Sequence, residues 1–336
     1  MNNLISVIIV NYNGADYIGE SIESIIDQTY TNLEIIVLDN NSSDDSVQKI
    51  KQYPSVKLIE SKTNLGFAKG NNVAIREANG EYIALLNNDA TAEASWLESL
   101  AKVLDHNDEY GSCGCKIISY YEQDYLDSAG LLINPSGMSR ARGRNESIHD
   151  YNISEPILIP SGCAVLYRKK ALDEVGLFDE DFFCYCEDTD LGFRLQISGW
   201  KCFYVSEAVV YHRYSSTAGK YSLFKTYLVE RNHYWFVIKN FPLSLVLMNP
   251  MYTIRLYLYQ LLNMFKQKGA TNELMTNTST KKLVLTLLKA HKDVWKMLFV
   301  MLKKRSINNK LKKVDNRQIK EWIKQYNISV ADLFKS

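Results

Sequence analysis

The sequence predicts an α/β protein with a mixed, mainly parallel sheet flanked by helices and a helical region at its C-terminal end. Short runs rich in Val, Ile and Leu alternate with segments of helical periodicity, and this alternation is typical of parallel sheets with crossover helices. The strand-like runs cover residues 6–10, 33–38 and 56–60, and a fourth ends at Leu85 and Leu86. Three of the four are followed directly by polar clusters, which is the second observation behind the prediction.

The first crossover helix is predicted over residues 16–28. Four isoleucines within it recur at helical spacing, and Asp16 stands ahead of them as a candidate N-cap. A second helix is predicted after Asp45, and a third over residues 69–78, where Gly80 ends it.

The polar clusters are Asn11-Tyr12-Asn13, residues 39–42 (Asp-Asn-Asn-Ser) and Asn87-Asn88-Asp89. In a parallel sheet, ligands bind at the carboxyl ends of the strands, so we expect the three clusters to meet at one edge. Asp89 is the most informative residue, because it places a carboxylate where a bound divalent cation and a diphosphate would lie.

Charged residues are unevenly distributed along the chain. The 336 residues carry a formal net charge of +1, but residues 1–249 hold 21 Lys+Arg against 33 Asp+Glu, and residues 250–336 hold 18 against 5. The longest uncharged apolar stretch, residues 240–254, contains Pro242 and Pro250 and is too short to span a bilayer.

Cysteine spacing argues against a zinc knuckle. Cys113 and Cys115, like Cys184 and Cys186, are separated by one residue instead of two, so reduced thiols are predicted. The N-terminus passes directly into a strand without a signal-peptide pattern, and a cytoplasmic protein is therefore expected.

Five motifs occur in an order that resembles the family 2 glycosyltransferases with the GT-A fold, and most closely their rhamnosyltransferase-like subgroup. The motifs are SVIIVNYNG at residues 6–14, VLDNNSSD at 37–44, NLGFAKGNN at 64–72, LLNND at 85–89 and EDTDLGFR at 187–194. The resemblance covers roughly residues 4–240. It implies a Rossmann-like fold for nucleotide-diphospho-sugar transferases.

The resemblance assigns the contact with the nucleotide base to Asp39, whose carboxylate would accept the imide N–H of uracil or thymine. The alternative is that Asp39 only caps the turn after it. Asn11 and Tyr12 are candidates for base and ribose contacts, with a packed tyrosine as the alternative for Tyr12. Asn88 is a further candidate donor contact.

Gly66, Lys69 and Asn71 are candidate donor-binding residues at a loop that leads into a helix. Glycine permits close backbone approach, and the amides at a helix start can face a phosphate or a sugar. Lys69 would add charge there, or is a solvated helix lysine.

The resemblance makes Asp89 the last position of an Asp-x-Asp site for a divalent cation, Mn²⁺ or Mg²⁺. Asn87 occupies the first position, so the sequence departs from the full motif. His212 follows a strand-like run at 208–211 and is the second candidate metal ligand. A structural aspartate and a structural histidine are the alternatives.

Sugar transfer requires a base for the acceptor hydroxyl, and the resemblance places it at Asp188, with Glu187 as the next candidate. Aromatic neighbours at residues 182–185 and mutual repulsion of the carboxylates are expected to raise their pKa. The alternative is a helix N-terminus that favours acidic residues. A single displacement would invert the anomeric configuration.

We expect residues 1–110 to form the nucleotide-sugar-binding half of the GT-A domain, residues 111–215 the acceptor-binding half, and residues 216–336 a basic, mainly helical region. This last region suits an anionic membrane surface, at the inner face of the cell membrane. A plain helical appendage or a homodimer contact is the alternative. Nucleic acid is not expected, since no binding motif accompanies the charge.

The predicted function is therefore an inverting glycosyltransferase that uses a UDP- or dTDP-sugar, with dTDP-rhamnose among the candidates. Its acceptor would be a cell-surface polysaccharide or a lipid-linked glycan precursor. The rivals are a non-catalytic module that binds sugar nucleotides or glycans on the same fold, and a nucleotidyltransferase.

Overall fold

The computed structural model divides the chain into two compact units. The first comprises Met1–Leu131 and Ala141–Thr217, and the second comprises residues 132–140 and 218–336. The structure describes residues 3–213, 222–265 and 279–335.

Twelve strands occur in the described residues. They are β1 Ile5–Asn11, β2 Leu33–Asp39, β3 Val56–Glu60, β4 Tyr82–Leu86, β5 Ala90–Ala92, β6 Tyr110–Ser119, β7 Leu126–Ser128, β8 Leu131–Ile133, β9 Ser139–Ala141, β10 Glu155–Ile157, β11 Ala164–Arg168 and β12 Lys201–His212. Ten of them form one sheet in the order β10-β12-β6-β11-β4-β1-β2-β3, with β5 beside β12 and β7 beside β6. Strands β8 and β9 pair with each other.

The sheet is mixed and mainly parallel in its first half, as the sequence predicts. Strand β1 runs parallel to β2 and β4, and β2 runs parallel to β3. Strand β11 is antiparallel to both β4 and β6, and β12 is parallel to β6. The reversal at β11 brings the residues before that strand to the edge where β4 ends.

Helices cover both faces of this sheet. In the first unit they are α1 Ile18–Ile26, α2 Ser46–Ile50, α3 Gly66–Arg76, α4 Trp96–His106, α5 Lys169–Val175 and α6 Glu187–Ile197. Successive β1 residues point to opposite faces: Val7 packs with the cluster that contains α1 and α4, and Ile8 packs with the cluster that contains α3, α5 and α6. Burial on both faces explains why the strands read as continuous apolar runs.

Two helix starts differ from prediction. Asp16 is exposed and Tyr17 holds the N-cap position of α1 without a side-chain cap, so the prediction of Asp16 as N-cap is wrong. The backbone carbonyl of Gly14 accepts the amides of Tyr17 and Ile18 instead, each at 2.9 Å, and closes the turn. Helix α3 begins at Gly66, three residues before the predicted start.

In the residues that the structure describes, the second unit is mainly helical outside its β8–β9 segment, which confirms the predicted C-terminal helical region. Its helices are α7 Leu223–Asn240, α8 Leu243–Phe265, α9 Thr280–Lys296, α10 Leu298–Leu311, α11 Asn316–Gln325 and α12 Val330–Leu333. Arg305 fixes the end of α7, because its Nη1 donates to the carbonyls of Ile238 at 2.8 Å and Phe241 at 2.7 Å. Among the residues that the structure describes, none of the helices has the length and apolarity needed to cross a membrane.

Candidate active site

The ends of β1, β2 and β4 meet at one edge of the sheet, as expected for parallel neighbours. Asn11 and Asp39 are register partners, and the Nδ2 of Asn11 donates to Oδ1 of Asp39 at 3.0 Å. The Nδ2 of Asn88 donates to Oδ1 of Asn11 at 2.9 Å. A continuous row of buried side chains therefore links the three strand ends.

Asp39 also fixes the turn that follows it. Its Oδ2 accepts the backbone amide of Ser42 at 2.9 Å, and Asn41 adopts a left-handed conformation with φ of 65°. The predicted turn is confirmed, and the carboxylate is engaged on both oxygens. A contact between Asp39 and a nucleotide base stays a prediction, as does the donor contact of the partly buried Tyr12.

Gly14 lies against this row, and a side chain would not fit there. A Cβ at Gly14 would stand 2.2 Å from Nδ2 of Asn88 and 2.4 Å from Oδ1 of Asn11. The first motif thus needs glycine for close approach, because the amide side chains occupy the space.

The start of α3 is less open than predicted. Gly66 has a φ of +74° and lies against Phe183, whose carbonyl accepts the amide of Ala68 at 3.1 Å. The amide of Gly66 donates to Oδ1 of Asn64 at 2.9 Å. Protein oxygens therefore accept both of these amides, and a contact of this helix start with a phosphate or a sugar stays a prediction.

The other two candidates on α3 differ in exposure. Lys69 is exposed to solvent, whereas Asn71 is buried and its Nδ2 donates to the carbonyl of Phe67 at 2.9 Å. Their roles toward a donor stay predictions. Lys69 is the group at this helix start that presents an exposed charge.

Asp89 and His212 lie together although 123 residues separate them in the sequence. Strand β5 pairs with the end of β12 so that His212 faces Ala90, and the Nε2 of His212 lies 3.2 Å from Oδ1 of Asp89. The amide of Arg213 donates to the carbonyl of Asp89 at 3.1 Å and holds the two segments in register. Both side chains are buried.

A second acid, Asp127, orients the histidine. Oδ2 of Asp127 lies 2.6 Å from Nδ1 of His212, and Oδ1 of Asp127 accepts from Arg144 at 2.6 Å. With Nδ1 directed at Asp127, Nε2 is the ring nitrogen of His212 that is directed at Asp89. Sequence reasoning missed Asp127, since it lies in β7 outside all five motifs.

Burial acts to lower the pKa of His212. The Cys163 thiol and hydrogen bonds to Asp127 and Asp89 act in the opposite direction and raise this pKa well above its ordinary value of 6.5. Metal ligands must be deprotonated, so a cation bound at Nε2 would take the place of a proton there.

The spacing of this pair is compatible with two ligands of one divalent cation. Adjacent ligands of an octahedral Mg²⁺ stand about 3 Å apart, and the carboxylate and imidazole donors stand 3.2 Å apart. Within the described parts of the chain, no group of three or more His, Cys, Asp or Glu is placed to hold a metal ion. The protein thus offers two donors here, and a donor diphosphate would have to supply further oxygens.

The two candidate bases lie in the first turn of α6. Backbone strain precedes them, because Phe183, Tyr185 and Cys186 have φ values of 65°, 69° and 67°, in the region that favours glycine. Glu187 is 5% exposed, and in the described chain its Oε2 has no hydrogen-bond partner. Asp188 is only partly buried and is therefore the more accessible acid.

Both carboxyl groups have raised pKa values, as the sequence predicts. Burial raises the pKa of Glu187 well above its ordinary value, and the charge of Asp188 adds to the effect. Burial also raises the pKa of Asp188, although the amides of Gly162 and Thr189 donate to its oxygens at 3.0 Å and 2.7 Å and oppose the rise. Asp188 therefore combines access with a pKa nearer to neutrality, which is what a general base needs.

A short segment before β11 connects the base region with Asp89. The amide of Gly162 donates to Oδ2 of Asp188 at 3.0 Å, and the next carbonyl, that of Cys163, accepts the amide of Asn87 at 2.8 Å. Asp89 follows Asn87 by two residues. The structure thus brings the two acids to the same edge of the sheet.

Two arginines close to these acids have different settings. Arg194 pairs with the buried Asp190 at 2.9 Å and donates to backbone carbonyls that follow α5, so its contacts are structural. Arg213 pairs with Glu20 and lies over the ring of Tyr120 at 3.7 Å, next to His212. Arg213 therefore lies beside the candidate cation site, as does Arg144, which contacts Asp127.

The chain matches the sequence model of the family described as Glycosyl transferase family 2 over residues 6–176. An uncharacterized glycosyltransferase of Haemophilus influenzae is 39% identical over 133 residues, which are 38% of this chain and 40% of that protein. The N-acetylglucosaminyl-diphospho-decaprenol L-rhamnosyltransferase of Mycobacterium tuberculosis is 25% identical over 66% of this chain and 79% of that protein.

A solved structure is similar over almost the whole length. The mannosyltransferase PcManGT of Pyrobaculum calidifontis, in complex with GDP-Man and Mn²⁺, matches with a TM-score of 0.53 and 18% identity. The match covers 95% of this chain and 88% of that chain. This likeness confirms the predicted GT-A fold.

Proposed function

The chain belongs to glycosyl transferase family 2 and is a glycosyltransferase by family, and we propose that it moves a sugar from a nucleoside diphosphate donor to a hydroxyl group of a glycan. The observation that carries the proposal is the shared sheet edge. One end of it carries Asp89 with His212, and the other carries Asp188, joined through residues 162–163. Such an arrangement serves a leaving diphosphate on one side and an attacking hydroxyl on the other.

Asp89 and His212 would hold a divalent cation, Mn²⁺ or Mg²⁺, which neutralises the charge of the leaving diphosphate. Asp127 would keep His212 in the tautomer that offers Nε2. The structure of PcManGT contains Mn²⁺ and GDP-Man, and the donor atoms here are of a kind that suits the same cation.

Asp39, Asn11 and Asn88 would position the donor, together with Tyr12, Gly66, Lys69 and Asn71. Asp188 would take the proton of the acceptor hydroxyl as that oxygen bonds to the anomeric carbon and the diphosphate departs. Glu187, which is more deeply buried, would act through its neighbour instead of on the acceptor. Because one displacement occurs, the anomeric configuration inverts.

The donor that we favour is a UDP- or dTDP-sugar, and dTDP-rhamnose is supported by the rhamnosyltransferase relative. The acceptor would be a cell-surface polysaccharide or a lipid-linked glycan precursor. Residues 1–110 would bind the nucleotide sugar and residues 111–215 the acceptor. The basic region 216–336 would place the enzyme peripherally at the inner face of the cell membrane.

A donor screen tests the proposal. Thermal stabilisation and hydrolysis are measured with UDP-, dTDP- and GDP-sugars, with Mn²⁺, Mg²⁺ or EDTA. We expect one class of donor to stabilise the protein only when a cation is present. Asp89→Ala should weaken this cation-dependent stabilisation by about tenfold or more, since removal of a ligand or its partner typically costs that much.

Asp108→Ala is the matched control, because this acidic residue is exposed in the turn before β6. A binding module would show the same stabilisation without hydrolysis or transfer to any glycan acceptor. A nucleotidyltransferase would release pyrophosphate from a nucleoside triphosphate. Either result would replace the proposal.

A further inference from the structure

Helices α9 and α10 of the second unit display an apolar row to solvent. Trp295 is 71% exposed and Phe299 is 83% exposed, and Val284 and Leu288 are 48% and 59% exposed. Val284, Leu288 and Trp295 follow one another on α9 at spacings of four and seven residues, which place them on one face of that helix, and Phe299 lies in the first turn of α10. Exposed aromatic residues in such a row mark an interaction surface.

Basic residues accompany this row. Residues 280–311 contain nine Lys or Arg and one acid, Asp293. Asp293 accepts a hydrogen bond from the hydroxyl of Tyr227 at 2.6 Å, so its carboxylate is directed toward α7. Lys292, Lys296 and Lys303 are exposed next to the aromatic pair. The surface therefore presents apolar and cationic groups together.

We propose that this face, formed by Val284, Leu288, Trp295, Phe299 and the lysines beside them, binds the surface of an anionic phospholipid bilayer. The aromatic side chains would enter the headgroup region while the lysines contact lipid phosphates. The helices would lie along the membrane, in keeping with the finding that none of the described helices can cross it.

Charge distinguishes a bilayer from a second copy of the chain. In a twofold dimer this face would meet itself and bring like charges together, and the cores of protein interfaces are depleted of lysine. A bilayer with acidic lipids supplies the opposite charge and an apolar phase at once. That this placement serves a lipid-linked acceptor rests on the proposed function, whereas vesicle binding does not.

Vesicle sedimentation with the full-length protein tests the proposal. Vesicles of phosphatidylcholine alone are compared with vesicles that also contain phosphatidylglycerol, at low and high salt. Each lysine near an anionic surface contributes about a fivefold gain in partition. We expect Lys292→Glu with Lys296→Glu to lower binding to acidic vesicles by more than about tenfold, and high salt to weaken the wild-type protein.

Trp295→Ala with Phe299→Ala should lower partition by about tenfold or more, because two large apolar side chains are lost. Ile153→Ala is the matched control, since this side chain is 79% exposed but lies in the first unit. Trp295→Phe keeps the apolar character of the position. It should therefore bind vesicles but lose the fluorescence quenching that brominated lipids produce in the wild-type protein.

Three results would overturn the proposal. One is equal binding to neutral and acidic vesicles, and another is no binding to either. The third is a dimer in solution that the Trp295 and Phe299 substitutions dissociate, which would assign the face to a second copy. Donor hydrolysis should survive in all surface variants. If the wild-type protein binds vesicles but hydrolyses no donor, the proposed function is rejected and the proposed membrane-binding surface is not.

Discussion

Two places at the same sheet edge differ in the surroundings of their carboxyl groups. On the donor side, Asp39 receives hydrogen bonds on both oxygens, from Asn11 and from the Ser42 amide. On the base side, burial raises the pKa of Glu187 and Asp188, and Glu187 has an oxygen without a partner in the described chain. Asp188 likewise accepts the amides of Gly162 and Thr189 on its two oxygens, but burial outweighs them and raises its pKa, which suits a group that takes up a proton.

The largest effect on turnover is expected from a substitution that removes only the proton acceptor. Asp188→Asn keeps the shape of the side chain but cannot accept a proton, so turnover should fall by about 10²–10⁴-fold. The dissociation constant of the donor should stay nearly unchanged, because the donor side is intact. Steady-state kinetics and donor titration by calorimetry measure the two quantities separately.

Asp173→Asn is a suitable control, since it removes an exposed acid paired only with Lys169. If Asp188→Asn transfers sugar at the normal rate while Glu187→Gln does not, the base has been assigned to the wrong neighbour. Loss of both turnover and donor binding would mean that the two places are not separable.

The same contrast explains which features the sequence predicts. Strand ends and their polar clusters follow from local patterns, so the sequence predicts that Asn11, Asp39 and Asp89 lie at one edge. It does not predict Asp127, because the contact of this residue with His212 joins β7 to the end of β12 and has no local signature. The paired amides at α3 were also missed, since the carbonyl of Phe183 comes from a segment more than 100 residues away.

The pH dependence of turnover sharpens the contrast further. Because the pKa of Asp188 is raised, the carboxylate is protonated at a higher pH than an ordinary aspartate, whose value is 3.8. The acid limb of the turnover profile should therefore have its midpoint above 3.8, and activity should fall tenfold per pH unit below it.

The raised pKa of Asp188 should also affect the stability of the folded protein. A raised folded-state pKa stabilises the fold below the ordinary value, and this contribution is lost as pH rises through the folded value. Asp188→Asn should thus be as stable as, or more stable than, the wild-type protein at pH 7, by thermal melting. A less stable variant at pH 7, or an acid limb at the ordinary value, would show that burial does not govern this carboxyl group.

The next effect concerns the histidine. Asp127→Asn keeps an acceptor for Nδ1 of His212 but removes its charge, and it weakens the contact with Arg144. Cation affinity should fall by about 10–100-fold, as is typical when a partner of a metal-binding histidine is changed. Saturating Mn²⁺ should restore most of the turnover. Asp124→Asn, an exposed change three residues earlier, should leave the Mn²⁺ titration unaltered.

On the donor side, Gly14→Ala tests whether the polar row positions the nucleotide. The added methyl group must displace Asn88 or Asn11, because their atoms lie 2.2 and 2.4 Å from its position. Loss of one buried hydrogen bond should raise the donor KM by about tenfold. Gly19→Ala adds the same group 3.2 Å from the hydroxyl at the end of Tyr53, and unchanged kinetics are expected there.

The smallest effect should come from Gly162→Ala on the base side. A Cβ there would lie 3.0 Å from Cβ of Asp188, so the carboxyl group must move by a few tenths of an ångström. Since a displacement of about 1 Å can cost about 10²-fold, a shift of this size should lower turnover by about threefold. The donor KM should not change, because the three atoms nearest to the added Cβ all belong to Asp188 and none to the row from Asn88 to Asp39. A raised donor KM with normal turnover would mean that this glycine belongs to the donor side, and the division between the two places would then have to be redrawn.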